Sequence, residues 1–342
     1  MILLFFILLI FYQIIMKRIT ICLIVFAFCL QSKGQDSTLV GFSLAYLRGR
    51  WYSDTEYLEK SLNKLGGKLI TEFSNADAQT QNEQILSLIK RGVKVMIIVA
   101  EDAESLNEAV DACKKANVKV IAYDRLIKNC DIDYYVSFDG EKVGKLQAGF
   151  VTNILPKGNV VLLAGPITDN NAVSFLKGQK EVLEPFIQDK SINVIYEKNL
   201  VSWDVMAAYL EISQLVENNV KIDAVIASDD ECAAGSIMAF ENNEKYKNVI
   251  ITGQDAGLEA CKAIVSGKQS MTVYKSIKLL AFTTANLAIN LAKGDKVENS
   301  PNEIDNGFKK VPAILLDPVS VDKTNLKETV IKDGFLTEKE IF

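Results

Sequence analysis

An acid and a base stand side by side at Asp124-Arg125, directly after the apolar run Val118-Lys119-Val120-Ile121-Ala122-Tyr123. Asp124 accepts hydrogen bonds and Arg125 offers a rigid fork of donors, so the pair can hold the vicinal hydroxyls of a polyol or sugar. A structural ion pair capping a loop is the other reading, and these two residues alone leave both open. The pattern recurs along the chain. Arg50-Trp51, Asp169-Asn170-Asn171, Ser202-Trp203, Asp229-Asp230, Gly253-Gln254-Asp255 and Tyr274-Lys275 each come shortly after an apolar stretch. Both tryptophans of the chain fall in this set. A pyranose presents apolar C–H faces and a polar hydroxyl rim, which two flat aromatics and a ring of charged partners would match. Core packing is the usual fate of a tryptophan, but the polar, loop-type neighbours of Trp51 and Trp203 favour a ligand surface.

Those residues need elements that deliver them to one place. Residues 40–46, 68–73, 93–100 and 118–123 read as strands, alternating with amphipathic helices over residues 52–65, 80–91 and 103–116. After a strand at 134–138 the rhythm begins again. Helices over 141–154, 172–186, 204–216 and 232–242 alternate with strands over 160–164, 194–197, 224–227 and 249–252. Residues 271–274 add a strand, and residues 279–292 a long helix ended by Gly294. Repeated βα units imply the α/β class, with two doubly wound parallel sheets covered by helices on both faces. Open sheets of this kind bind ligands at the carboxyl ends of their strands, which is where the charged and aromatic residues fall. The polar tail after Lys296, with Pro301, Pro312 and Pro318, is too short for a third domain and is expected to return across the other two. Two such lobes facing each other over a cleft describe a hinge-closing receptor for a small solute.

Composition narrows the chemistry. The 342 residues are 49% hydrophobic and 24% charged with a net charge of −5, an ordinary globular balance with room for two full cores. The mild acidity and the lack of a Lys/Arg run argue against a nucleic-acid partner. Histidine is absent, so no Ser-His-Asp or Cys-His catalytic group and no His-ligated metal site can be built. Cys113, Cys130, Cys232 and Cys261 lack C-x-x-C spacing and read as core residues or chance thiols, with one disulfide left open. No cofactor and no metal is expected. A glycosidase would need a close carboxylate pair flanking the bond to be cut, whereas Arg125 and Lys275 would keep neighbouring acids ionised, and adjacent Asp229 and Asp230 would point apart. The reading is therefore non-enzymatic.

Residues 1–34 read as a leader. Residues 1–16 are almost wholly apolar, Lys17-Arg18 follow, and residues 19–30 are apolar again. An export signal carries its basic end before its apolar core, so a start at Met16 gives the right order, with cleavage before Gln35 after Ser32-Lys33-Gly34. Lipidation at Cys29 and retention of the first apolar run as an anchor are the alternatives, and all three export the rest of the chain.

Taken together, these stretches resemble the type I periplasmic sugar-binding proteins of bacterial ABC transporters, the D-xylose-binding members in particular, from about residue 40 to the C-terminus. The likeness rests on Arg50-Trp51; on residues 118–125 with Asp131-Ile132-Asp133, Ser137-Phe138-Asp139 and Glu141-Lys142-Val143-Gly144; on Asp169-Asn170-Asn171-Ala172 and Lys221-Ile222-Asp223-Ala224-Val225; and on Gly253-Gln254-Asp255-Ala256, Met271-Thr272-Val273-Tyr274-Lys275 and residues 329–335. The resemblance implies the type I periplasmic binding protein fold, two parallel-sheet lobes joined by a three-segment hinge near Asp139, Tyr274 and Asn306. Residues 38–139 plus 276–306 would form the N-terminal lobe, and residues 140–275 plus 307–342 the C-terminal lobe. It further implies that Trp51 and Trp203 sandwich the sugar ring while Arg50, Asp124, Arg125, Asn171, Asp255 and Lys275 hydrogen-bond its hydroxyls.

Asp229 completes the expected ligand set as a departure from the family. Ser-Asn-Asp is usual where this chain has Ser228-Asp229-Asp230, so an amide that donates and accepts is replaced by a carboxylate that only accepts when ionised. Ala45-Tyr46 also stands where the family tends to be acidic, and D-xylose, the first choice, competes with a related aldose. The implied function is capture of a monosaccharide by a monomeric exported receptor that delivers it to the membrane permease of an ABC transporter. Presentation of the sugar to a membrane sensor kinase is the alternative. A sugar-responsive repressor shares the fold but requires an N-terminal helix-turn-helix, and the first residues read as a leader instead.

Overall fold

Parallel strands buried on both faces set the architecture of the computed structural model, which describes residues 16–17, 37–47, 49–295, 297, 300 and 302–342. The leader expected over residues 1–34, with Cys29, lies outside the described residues apart from Met16 and Lys17, and so does Arg48. In chain order the elements are β1 (Thr38–Leu44), α1 (Trp51–Lys64), β2 (Gly67–Phe73), α2 (Ala78–Lys90), β3 (Val95–Ile98), α3 (Asn107–Lys115), β4 (Lys119–Tyr123), β5 (Tyr134–Phe138) and α4 (Gly140–Ile154). They continue with β6 (Gly158–Ala164), α5 (Asn170–Gln188), β7 (Ile192–Asn199), α6 (Val205–Glu217), β8 (Ala224–Ala227), α7 (Asp230–Phe240), β9 (Ile250–Ile251), α8 (Leu258–Ser266) and β10 (Thr272–Tyr274). Last come α9 (Ile277–Lys293), β11 (Asn302–Asp305), β12 (Lys310–Leu316), β13 (Val319–Val321) and α10 (Glu338–Ile341).

The first sandwich is a seven-stranded sheet in the order β11-β12-β5-β4-β3-β1-β2, parallel throughout except for β11 against β12. Every residue of β3 is buried. Val95 and Ile97 face a core shared with Leu58 and Leu62 of α1 and Leu280 and Leu287 of α9, while Met96 and Ile98 face Ile85 and Leu88 of α2 and Val110 of α3. A run apolar on both faces cannot lie at a surface, and this is what forces helices onto each side. The second sandwich repeats the logic on the parallel sheet β7-β6-β8-β9. Val161 and Leu163 of β6 pack with Ala208 and Ile212 of α6, and Val160 and Leu162 with Ala148 and Val151 of α4 and Leu183 of α5. The antiparallel pair β10–β13 flanks it, and a third small core joins Cys261 and Ile264 of α8 to Leu326, Val330 and Ile341 of the C-terminal segment.

Two glycines let α4 and α5 touch backbone to backbone. A Cβ on Gly144 would lie 1.9 Å from the Phe175 carbonyl oxygen, and one on Gly178 2.0 Å from that of Glu141. This contact fixes α5, whose first turn carries site residues.

One expected boundary moves. The resemblance implies that residues 307–342 belong to the second lobe, yet β12 pairs in parallel with β5, so the chain leaves the seven-stranded sheet only after Leu316. The cause is packing: Val311 and Ala313 enter the same core as Ile132 and Tyr135, with Ile314 and Leu316 against the opposite face. The chain therefore passes between the two sandwiches near Asp139, near Lys275 and between Leu316 and Val319, rather than near Asn306. Cys113, Cys130, Cys232 and Cys261 are buried free thiols. Among the described residues no helix is long and apolar enough to cross a membrane, and none of them form a cluster of three or more Cys, Asp or Glu placed to hold a metal ion.

Candidate ligand-binding site

Strand carboxyl ends and helix amino ends meet along one edge of each sandwich, and a cavity of about 350 Å³ opens between those edges. The nine residues expected from the sequence, Arg50, Trp51, Asp124, Arg125, Asn171, Trp203, Asp229, Asp255 and Lys275, all line it. Local chemistry explains why they project there. Asp169 and Asp229 cap α5 and α7, their carboxylates accepting the N–H groups of Asn171 at 2.9 Å and Cys232 at 2.7 Å. Asp124 follows β4 at φ +61°, a left-handed conformation that aspartate tolerates better than most residues. Its carbonyl is fixed by the hydroxyls of Tyr135 at 3.1 Å and Ser137 at 2.8 Å.

A chain of charge-assisted hydrogen bonds then runs across the cavity. Tyr123 donates its phenol to Asp54 at 2.6 Å, and Asp54 receives Nε and Nη2 of Arg50 at 3.0 and 3.1 Å, a bidentate clamp that fixes the guanidinium plane. Nη1 of Arg50 reaches Asp124 at 3.2 Å and, in the second sandwich, Asp255 at 3.0 Å. Lys275 lies 3.3 Å from the same Asp124 oxygen and 3.4 Å from Asp255. Asn171 donates to the other Asp124 oxygen at 3.0 Å. Arg125 is held by Asp169 at 2.9 Å, by the Ala100 carbonyl at 3.0 Å and by the Tyr46 hydroxyl at 3.0 Å.

The electrostatics follow from burial against these partners. Burial would raise the Asp124 carboxyl, but Arg50, Lys275 and Arg125 outweigh it and hold it at about 2. Burial raises Asp54 in spite of Arg50 and the Tyr123 hydrogen bond. Burial, with Asp54 beside it, pushes the Tyr123 phenol well up, which keeps it a donor. Both guanidiniums remain charged, since Asp124, Asp54 and Asp255 around Arg50, and Asp169 beside Arg125, overcome the burial that disfavours the cation.

Of the aromatics, Trp51 is 5% exposed and shared between the cavity and the core of the first sandwich. The guanidinium of Arg50 stands 4.9 Å from its ring centroid. Trp203 is half-buried, its indole N–H donating to Asp169 at 3.0 Å, and Gly165 makes room for the ring, since a Cβ there would fall 2.3 Å from it. The site also contains residues that sequence reasoning left out of the set: Tyr46, Asp169, Phe175, Asp230, Glu231 and Gln254. Phe175 had a readable signal, since it lies one helical turn beyond Asn171 and shares its face. Asp169 had another, as the cap of the helix that begins with Asn170-Asn171.

Comparisons with known proteins give the family of the chain. Residues 40–296 match the family model described as periplasmic binding protein domain. The D-xylose-binding periplasmic protein of Haemophilus influenzae is 43% identical over 306 residues, 89% of this chain and 92% of that protein. Its namesake from Escherichia coli is 41% identical over 304 residues, 88% and 92% of the two chains. The crystal structure of an ABC transporter solute binding protein from Clostridium phytofermentans with bound β-D-glucose is 31% identical, covers 89% of this chain and 100% of its own, and superposes with a TM-score of 0.82. This chain belongs to the periplasmic binding protein family, with the type I α/β fold.

Proposed function

We propose that this chain is the sugar-binding receptor of an ABC transporter, an exported monomer that captures D-xylose between its two sandwiches and hands it to a membrane permease. The observation that carries the reading is the convergence of nine strand-end residues, drawn from both sandwiches, on one cavity. Its volume of about 350 Å³ falls in the range of small-molecule sites. The choice of D-xylose is supported by two relatives named for that sugar, each more than 40% identical over most of its length. Family membership likewise supports a transport receptor over an enzyme.

In this reading Trp51 and Trp203 cover the two faces of the pyranose, and Arg50, Asp124, Arg125, Asn171, Asp255 and Lys275 take its hydroxyls. The two sandwiches act as lobes hinged near Asp139, Lys275 and Leu316. Their closure removes water from the sugar's hydrogen bonds, which strengthens each of them. Residues 1–34 serve as the export leader. Titration calorimetry of the purified chain against a panel of aldoses tests the proposal: D-xylose should bind at one site and most tightly of the panel. A tighter hexose would reassign the ligand, and no heat with any sugar would remove the receptor reading.

A further inference from the structure

Asp229 differs from three other acids of the cavity. Asp124, Asp169 and Asp255 each lie within ion-pair distance of Arg50, Arg125 or Lys275. Asp230, also in the cavity wall, receives three donors, the Gly257 N–H at 3.0 Å and the side chains of Gln269 at 2.9 Å and Thr272 at 2.8 Å. Among the described residues Asp229 has no cation at ion-pair distance. Its Oδ1 accepts the Cys232 N–H at 2.7 Å, the Cys232 thiol hydrogen-bonds the same carboxyl, and the residue lines the cavity. The side chain is only 8% exposed.

The charges around Asp229 repeat its own sign. Glu231 follows on α7 and Asp255 faces it from the loop after β9, while the neighbouring Asp230 carboxyl is itself raised by burial. The cations that share the cavity come from other elements and are engaged elsewhere: Arg50 at the start of α1 and Lys275 after β10 with Asp124 and Asp255, Arg125 after β4 with Asp169. Burial pushes the Asp229 carboxyl up to about 7, the thiol and the N–H of Cys232 opposing the rise and Glu231 and Asp255 adding to it.

We infer that Asp229 meets the bound sugar as a neutral carboxylic acid, its Oδ2–H donating to a sugar oxygen while Oδ1 stays on the Cys232 N–H. This rests on the sugar-receptor reading above. The neutral acid offers one donor and one acceptor, the pair that an isosteric amide would offer. Sugar binding then carries a proton with it: at a pH where Asp229 is ionised in the free receptor, the proton is taken from solvent as the ligand enters.

Calorimetry with D-xylose on the purified chain and on Asp229→Asn, between about pH 6 and 9 in buffers of different ionisation enthalpy, tests this. Wild-type affinity should weaken by about tenfold per pH unit above about pH 7, the limit for uptake of one proton. That uptake should appear directly as a buffer-dependent heat. Asp229→Asn should bind with the wild-type affinity seen at low pH, at every pH, without proton uptake. Wild-type affinity that stays level or rises with pH would overturn the inference while leaving the receptor reading intact. The same slope in Asp229→Asn would overturn it too, by assigning the proton to another group. If Asp229→Asn does not fold, the presence or absence of wild-type proton uptake decides alone. Failure of the wild type to bind D-xylose or any other aldose at any pH would instead remove the receptor reading, and the inference with it.

Discussion

Arg125 Nε and Asp169 Oδ2 stand 2.9 Å apart, the cation from the first sandwich and the carboxylate from the second, both nearly closed to solvent. The same carboxylate oxygen accepts the Trp203 indole N–H at 3.0 Å. One buried acid thus orients an expected hydrogen-bonding residue and an expected stacking residue, and it ties the two walls together. Breaking one partner of a buried charge pair costs about 2–5 kcal/mol, because the other charge is left uncompensated. Asp169→Asn keeps the shape and removes the charge. Calorimetry should show D-xylose affinity weakened by about 2 kcal/mol or more, and unchanged affinity would mean that the pair does not organise the site.

The two tryptophans should separate in their effects. Trp203→Ala removes a half-buried ring that also packs on the cores of the second sandwich, and should weaken sugar binding by about 1–3 kcal/mol with a smaller loss of stability than at Trp51. Trp51 belongs to the core of the first sandwich as well as to the cavity, so Trp51→Ala should also lower the unfolding free energy by about 3–5 kcal/mol. Urea denaturation beside calorimetry reads both quantities. Full affinity in both variants would return the rings to a packing role.

Stability should carry the signature of displaced acids with opposite signs, Asp124 and Asp230 among them. Asp124 is held at about 2 against an ordinary 3.8. A depressed acid stabilises the fold above its unfolded value and loses that contribution as pH falls through the folded one. Between about pH 4 and pH 2 the wild type should therefore lose about 2 kcal/mol that Asp124→Asn does not. Burial raises Asp230 from 3.8 to about 8, so its contribution is complete at acid pH and fades as pH climbs toward 8. Asp230→Asn should reduce the fall in stability between about pH 4 and pH 8, part of which Asp229 also carries. An unchanged fall would show that the carboxyl ionises freely.

Helix packing behind the site offers a test remote from any ligand contact. A methyl group on Gly144 would meet the Phe175 carbonyl oxygen at 1.9 Å, a backbone atom with nowhere to go. Gly144→Ala should force α4 and α5 apart and cost about 3 kcal/mol of stability, at the upper end for overpacking. Because Asn171 and Phe175 ride on α5, sugar affinity should fall as well. Wild-type denaturation midpoints would contradict the backbone contact.

Much of this was legible in the sequence, for a physical reason. A parallel strand buried on both faces is a continuous apolar run, and polar residues placed after such runs have little choice but the carboxyl edge of the sheet. Asp124, Arg125, Asp255 and Lys275 were found that way. The position of β12 was not. Pro312 sits within it, and proline argues against an interior strand, yet the residue pairs only with Glu303 of β11, and the pairing with β5 begins one residue later at Ala313. Asp169 stayed out of the expected set because its role depends on Arg125 and Trp203, which are distant in sequence and near only in the fold. The displaced titration of Asp229 was equally out of reach, since it arises first from burial, to which Glu231 and Asp255 only add.

A crystal structure of the chain grown with D-xylose would test the central claim most directly. The account predicts one pyranose in the cavity between Trp51 and Trp203, with its hydroxyls within hydrogen-bond distance of Asp124, Asn171, Asp255 and Lys275. Crystals that leave the cavity without sugar at saturating D-xylose, or hold the sugar elsewhere on the surface, would contradict it.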